Sequence, residues 1–503
     1  MPGIAPEHIP VLVGCAQLTR HWHDDEQRLD PLGLMERAVD AAIADSTSAA
    51  LKGAIDAVWT LNTLSWSYAD APGTLAQRLG ISATDRLYTG VGGNGPQALV
   101  NRACRELATG RRRAVVIAGA EAACSSQRAA KAGRELGWPR IESPVHIHGD
   151  ERMGASAAEF AYDLTLPAQM YPLIESTLRA RAKRTPAAHQ EFLGLLCARF
   201  ADVAARNPHA WFRTAHSAEE IATPTPHNRM VGYPYTKLMN AIFAVDQAAA
   251  LIVTTEAEAV RLGIDRARWV YPMGGASLND VWHVTERPRL DESPAIRAAS
   301  RAALAQAGLA ADDVGMFDIY SCFPSAVQLA CDALGISVED PRGLTVTGGL
   351  PYFGGPGNNY STHAIATVIE AIRRAPHTTA LVTALGWYAT KHSVGVYGSR
   401  PGSGAWDRDL ASEQAAIDAT ALPPPLDAHD GQVTVEAFVV RHGRDGEPRA
   451  GMMLARTARG ERVLAAMEAD AHALSELEES EVVGSRWACR HDAASGKNVA
   501  RPL

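Results

Sequence analysis

Two rhythms of apolar and polar positions run through the first 120 residues. Pro10–Gln17 is a nearly continuous apolar run, the pattern of a buried strand. Leu32–Ile43 spaces its apolar residues three or four apart, the pattern of a helix with one buried face. Ile55–Leu61 predicts another strand, and Arg86–Thr89 begins a further one. Then comes the turn Gly90-Val-Gly-Gly-Asn-Gly95, with Pro96 at a first helical position, where a missing N–H does no harm. Val100, Ala103, Cys104 and Leu107 form one helical stripe, Gly110 ends it, and Ala114–Gly119 reads as a fully buried strand.

A second region repeats the scheme. Pro294–Ala307 predicts a helix, Met316–Tyr320 a strand, and Val327, Ala330, Cys331 and Leu334 a helical stripe. Leu344–Thr347 predicts a strand before a glycine-rich turn from Gly348 to Gly357. Ala364, Ile365, Val368, Ile369 and Ile372 mark the next helix. Thr379–Leu385 and Ser393–Tyr397 predict paired strands. The repetition implies a duplicated α/β unit, with sheets covered on both faces. The halves are residues 1–120 with 241–270, and residues 271–400. Residues 121–240 between them read as a long insertion with helical stretches such as Met170–Ala182, and such insertions often carry binding function. Residues 401–430, with Pro423-Pro-Pro425, read as a stiff linker. Residues 431–503 read as a small β module. Its strands are Gln432–Arg441, Ala450–Arg456, Arg462–Met467 and Glu481–Cys489, with a short helix at Ala471–Glu479.

Composition narrows the function. With 47% hydrophobic residues in 503, the chain can bury a large core. The net charge is 48 − 56 = −8 with no basic block, which argues against nucleic acid or an anionic membrane as the main partner. Met1–Pro10 lacks the pattern of a signal peptide, and no apolar run reaches the roughly 18 residues of a membrane span. Seven scattered cysteines without a CxxC pair fit a reduced, cytoplasmic protein. His21-x-His23 and His146-x-His148 lack further ligands at a recognisable spacing, so no metal is expected.

The segment Gly92-Gly-Asn-Gly-Pro-Gln-Ala-Leu99 resembles the thiolase nucleophile motif, C-x-S-G-x-Q-A, with Gly92 where the cysteine stands. Tyr320-Ser-Cys-Phe323 resembles His-Asp-Cys-Phe of sterol-carrier-type thiolases. Gly354-Gly-Pro356 sits where that family has Gly-His-Pro, and Ala384-Leu-Gly386 where it has Cys-x-Gly. Val245-Asp-Gln-Ala-Ala-Ala250 resembles the segment that leads back into the core. The resemblance covers residues 8–400 and implies the duplicated, layered α-β-α-β-α thiolase fold. The C-terminal module resembles an OB-like β-barrel, and its acidic residues with few aromatics speak against nucleic acid.

The resemblance implies a ligand, a coenzyme A thioester, and no permanently bound cofactor. It also implies a degenerate active site, because Gly92, Gly355 and Ala384 replace the nucleophile, its activating His and the second Cys. Backbone N–H groups of Gly92 and Gly386 would remain as an oxyanion hole, which in enzymes contributes about 3–4 kcal/mol. Cys322 would approach the same place. Tyr320 offers a hydroxyl for hydrogen bonding or proton relay. Asn358 is a candidate donor in place of the missing His. His363 is expected neutral in the first turn of a helix capped by Ser361. His392, in Thr390-Lys-His392, is expected on a turn facing the site entrance. Arg229 and Lys237 are candidates for the coenzyme A phosphates. Three functions are compatible with this set: an acyltransferase-family protein without cysteine-dependent thiolysis, a retro-aldol lyase on β-hydroxyacyl-CoA, or a non-catalytic CoA-ester binding or scaffold protein. Thiolases usually form dimers or tetramers; here a homodimer and a monomer both remain compatible with the extra module.

Overall fold

The computed structural model describes residues 5–21, 28–139 and 147–503; His23 and His146 lie outside the described residues. The first half supplies β1 (Pro10–Thr19), β2 (Ala57–Thr60), β3 (Asp85–Tyr88) and β4 (Ala114–Ala122). The insertion carries two short strands, β5 (Met230–Gly232) and β6 (Tyr235–Thr236), and the chain returns to the core in β7 (Asp246–Thr255). The first sheet has the order β1-β7-β4-β2-β3. The second half supplies β8 (Tyr271–Asn279), β9 (Met316–Asp318), β10 (Ala380–Gly386) and β11 (Lys391–Gly398), in the order β8-β11-β10-β9.

The sheets match strand for strand. β1 is antiparallel to β7, β7 to β4, and β4 is parallel to β2. Likewise β8 is antiparallel to β11, β11 to β10, and β10 is parallel to β9. This is the duplication expected from the repeated pattern. One difference stands out. Leu344–Thr347, expected as a strand, forms no ladder. The N–H groups of Val346 and Thr347 donate instead to the buried Asp318 carboxylate, at 3.0 and 3.1 Å. A side chain has taken donors that a strand would have needed.

The helices Gly95–Ala108 and Tyr360–Arg374 pack between the two sheets, while Pro31–Asp45 and Pro294–Ala307 cover the outer faces. The result is a layered α-β-α-β-α body. Cys104, on the inner helix, is fully buried, as its stripe position predicts. Gln97 ties this helix to the second sheet. Its carbonyl accepts from the Tyr397 hydroxyl at 2.6 Å, and its amide donates to Asn101 at 2.9 Å.

The insertion contains the helix Pro167–Ala182, close to the predicted span, and a longer one at Pro186–Arg206. Residues 401–430 are more than a linker. They hold the helix Ala411–Asp418, whose Gln414 bonds both the N–H and the carbonyl of Asn279, at 2.7 and 2.9 Å.

The C-terminal strands are β12 (Gly431–His442), β13 (Pro448–Thr457), β14 (Arg462–Met467), β15 (Arg486–Asp492) and β16 (Lys497–Pro502). They close in the ring β12-β13-β14-β16-β15-β12, with β14 and β16 parallel and the helix Ala471–Glu478 between β14 and β15. This is an OB-like barrel. Its last strand was not foreseen, and β15 starts five residues later than the expected Glu481.

A register shift between Val435 and Ala437 flips the facing of β12. Val433, Val435, Phe438 and Val440 fill the barrel, whereas Ala437 and Val439 join the core of the body, together with Met452, Leu454 and Leu464. The outer face of the first three strands is therefore packed on the body. In OB folds the face of strands two and three commonly binds oligonucleotides; here the chain itself occupies it. Arg462, 4% exposed, fixes the joint by pairing with Glu436 at 2.8 Å and donating to the carbonyls of Thr285, Arg287 and Pro288. Arg179, 2% exposed, pairs with Glu481 at 2.8 Å. Among the described residues no helix is long and apolar enough to cross a membrane.

Candidate functional site

Two glycine-bearing segments meet where the inner helix begins. The turn after β3 brings Gly92, Gly93 and Asn94 against Gly386 at the end of β10. A β-carbon on Gly386 would lie only 2.9 Å from the Gly92 Cα and 2.6 Å from Asn94 Oδ1. A β-carbon on Gly92 would overlap the same Asn94 oxygen and touch Lys391 Cδ at 3.4 Å. The place a Gly92 β-carbon would take is thus crowded by the Asn94 amide and the Lys391 stem.

The Gly92 N–H is not available. It donates to Asn358 Oδ1 at 2.8 Å, and Asn358 Nδ2 donates to the Asn62 carbonyl at 2.8 Å. This corrects two expectations. Gly92 does not hold a free oxyanion donor, and Asn358 acts toward it as an acceptor, because a backbone N–H can only be met by an acceptor. Lys391 Nζ donates to Val91 O at 2.8 Å and Asp150 O at 3.3 Å, and lies over the Trp282 ring. Burial pulls its ammonium below the ordinary lysine value.

Tyr320 comes to the same place. A β-carbon on Gly93 would overlap its hydroxyl, and its ring meets Tyr360 edge-on with centroids 5.4 Å apart. Burial holds the phenol far above its usual range, and among the described residues its hydroxyl makes no hydrogen bond. Cys322 is buried beside the Tyr171 hydroxyl, and burial pushes its thiol up to about 12, so it stays protonated at neutral pH. Gly355 donates its N–H to Ile242 O at 2.8 Å and has that same carbonyl 3.3 Å from its missing β-carbon.

The two histidines lie elsewhere. Asn359, not Ser361, precedes the helix Tyr360–Arg374, because a short 3-10 turn at Gly357–Asn359 runs straight into it. Ser361 instead donates to Gly93 O at 3.2 Å. His363 is fully buried, with Nδ1 3.1 Å from Gln17 Oε1, and burial pulls it down to about 3. It is neutral, through burial more than through the helix dipole. His392 is not on a turn at the entrance. It is 3% exposed within β11 and bonds Asp280 at 3.0 Å. Successive strand residues face opposite ways, so Lys391 reaches Gly92 and His392 points away from it.

The expected phosphate contacts also separate. Arg229 donates to Met230 O at 2.9 Å and Gly443 O at 3.3 Å, which ties the insertion to the barrel. Lys237 is exposed on the short turn Lys237–Met239. Among the described residues no group of three or more His, Cys, Asp or Glu is placed to hold a metal ion.

The residues that close the site, Asn94, Asn62, Lys391 and Glu121, were not singled out by the pattern. Asn94 and Lys391 stand inside the quoted motifs, so chemistry could have flagged them. Asn62 acts through its carbonyl, which no side-chain motif reveals. Glu121, at the end of β4, is fully buried and accepts from the N–H groups of Leu64 and Ser65, both at 2.8 Å. Burial pushes it up to about 7.

Fold and site together define a thiolase-fold protein with a fused OB-like barrel and no cysteine at the nucleophile position. A family profile described as the thiolase-like protein type 1 additional C-terminal domain matches residues 413–494. Over 99% of its length the chain is 31% identical to a monomeric SCP2-thiolase-like protein type 1 from Mycobacterium smegmatis, covering all of that chain with a TM-score of 0.84. The chain belongs to the SCP2-thiolase-like protein type 1 family. Fold likeness extends to an Ltp2-ChsH2(DUF35) aldolase (20% identity, TM-score 0.59, 78% of this chain and 98% of that one). It also extends to an acetyl-CoA acetyltransferase from Syntrophomonas wolfei (14% identity, TM-score 0.57, 78% of this chain and all of that one). Among curated proteins none matches.

Proposed function

We propose that this chain is a non-catalytic member of the thiolase fold, a CoA-ester binding or scaffold protein that performs no cysteine-dependent acyl transfer. The observation that carries this reading is the 2.8 Å hydrogen bond from the Gly92 N–H to Asn358. An oxyanion hole works because its donors are unpaired and aimed where charge develops. A donor already satisfied must first lose its partner, which cancels most of that gain. The crowding of the Gly92 β-carbon position by Asn94 and Lys391 supports the same reading. So does the absence of a thiolate, since the Cys322 thiol is held protonated.

The coenzyme A ester is the ligand class proposed from the fold. Monomeric assembly is proposed from the Mycobacterium smegmatis relative, whose barrel-bearing chain is described as monomeric. One assay separates the alternatives. Calorimetry and steady-state turnover are run on a panel of acyl-CoA, β-ketoacyl-CoA and β-hydroxyacyl-CoA esters. Binding without turnover is expected. CoA-dependent cleavage of a β-ketoacyl-CoA into two shorter acyl-CoA esters, with uptake of one free CoA, would restore the transferase reading. Cleavage of a β-hydroxyacyl-CoA would favour the lyase reading, with the unpaired Tyr320 hydroxyl beside Gly93 as the proton relay. No binding of any of these esters would overturn this reading and both alternatives.

A further inference from the structure

We propose that Glu121 gates the closed site: protonation of its carboxyl favours the Gly92–Asn358 contact, and ionisation loosens it. This regulation rests on the sealed-site reading above.

Glu121 touches both segments that make the seal. Its two oxygens each accept one N–H from the loop after β2, at Leu64 and Ser65. The same loop presents the Asn62 carbonyl that orients Asn358. On the other side, one Glu121 oxygen fills the space that a β-carbon on Gly357 would need, so the carboxyl lies directly against the turn carrying Asn358 and Asn359. Asn359 pins that turn to β4 by donating to Gly119 O at 2.7 Å. The sequence of contacts is short: carboxyl, loop, Asn62, Asn358, Gly92.

Among the described residues the carboxyl has no counter-charge. Its partner across β7 is Gln247, which is neutral. Asp246, beside it, turns its carboxylate to Ser125 at 3.0 and 2.6 Å. The Tyr88 phenol is the titratable neighbour on β3, and its hydroxyl meets Thr63. The loop itself and the 357–359 turn bring no charged side chain. An ionised Glu121 is therefore a buried charge held by the Leu64 and Ser65 N–H groups and the Ser65 hydroxyl, and opening the loop would let water reach it.

The sign follows from linkage. In the closed form burial raises the carboxyl from 4.5 to about 7, whereas in an open, hydrated loop it returns toward 4.5. The closed form is fully favoured below 4.5 and loses that advantage as pH rises through 7.

Hydrogen exchange of the full chain, read at Leu64, Ser65 and Gly92 and corrected for intrinsic rates, tests this. Protection at all three sites should fall about tenfold between pH 6 and pH 8.5, as those two values imply. In Glu121→Gln the dependence should vanish. In Asn358→Ala the dependence should persist at Leu64 and Ser65 and be lost at Gly92. Protected sites with no pH dependence in the parent chain would overturn the gate and leave the seal standing. An unprotected Gly92 at every pH would overturn the seal itself. A pH dependence unchanged in Glu121→Gln would assign the effect to another group and also overturn the gate.

Discussion

Glu175→Ala is expected to destabilise the protein by about 3–5 kcal/mol, the range for removing one partner from a buried charged network. Glu175 is fully buried on the helix Pro167–Ala182. It accepts from Tyr235 at 2.6 Å and Gln328 at 2.7 Å, and His189 Nε2 lies 2.9 Å away. Tyr235 also meets Ser325 at 2.7 Å. These residues come from two insertion helices, from β6 and from the helix Pro324–Leu334 that follows Tyr320. The carboxylate is thus a knot between the insertion and the second half. Its loss takes that partner from His189 and Gln328 and leaves Tyr235 only Ser325, and an alanine leaves a cavity as well. The first unfolding transition in urea should move to a clearly lower midpoint. A shift worth less than about 1 kcal/mol would mean that the network relaxes onto other partners and that the insertion is held mainly by apolar contacts.

Gly93→Ala should cost about 2–3 kcal/mol, a large effect for one methyl group. The new β-carbon would overlap the Tyr320 hydroxyl and sit 2.6 Å from Leu385 O, which is backbone and cannot rotate away. Tyr320 is itself held edge-on by Tyr360. Tyr320→Phe should recover part of the loss in the double variant, because it removes the oxygen the methyl meets, and the non-additivity measures that contact. A Gly93→Ala protein within about 0.5 kcal/mol of the parent would show that the turn has slack, and a tightly filled site would then be the wrong description.

Much of the body was legible because it rests on periodicity. The runs at Pro10–Gln17, Ala114–Gly119 and Thr379–Leu385 became strands, and the glycine turns marked where the halves meet. Leu344–Thr347 read as a strand and is not one, because Asp318 intercepts its N–H groups across a distance in sequence that no local pattern can report. The barrel was visible in its first four strands, the fourth with its start placed five residues early. β16 was missed, since Lys497–Pro502 alternates weakly and borrows its stability from neighbours.

The site divides in the same way. Gly92, Gly386 and Tyr320 converge because motif position fixes them on the backbone. Their chemistry was not legible. Whether the Gly92 N–H is free depends on a partner 266 residues away. His392 was placed at an entrance because a turn was expected there. In fact β11 begins at Lys391, and strand alternation sends the lysine, not the histidine, toward the glycines. Arg229 shows a similar limit, since a basic residue in an insertion says nothing about the barrel loop that will meet it.

The central claim is that the thiolase centre is closed and does not form an acyl-enzyme. Intact-protein mass spectrometry after incubation with acetyl-CoA and longer acyl-CoA esters tests it most directly. An unmodified mass at neutral pH, in the parent chain and equally after mild denaturation and refolding, is the predicted result. A single acyl adduct that forms at a rate dependent on folded protein and maps to any of the seven cysteines would contradict it.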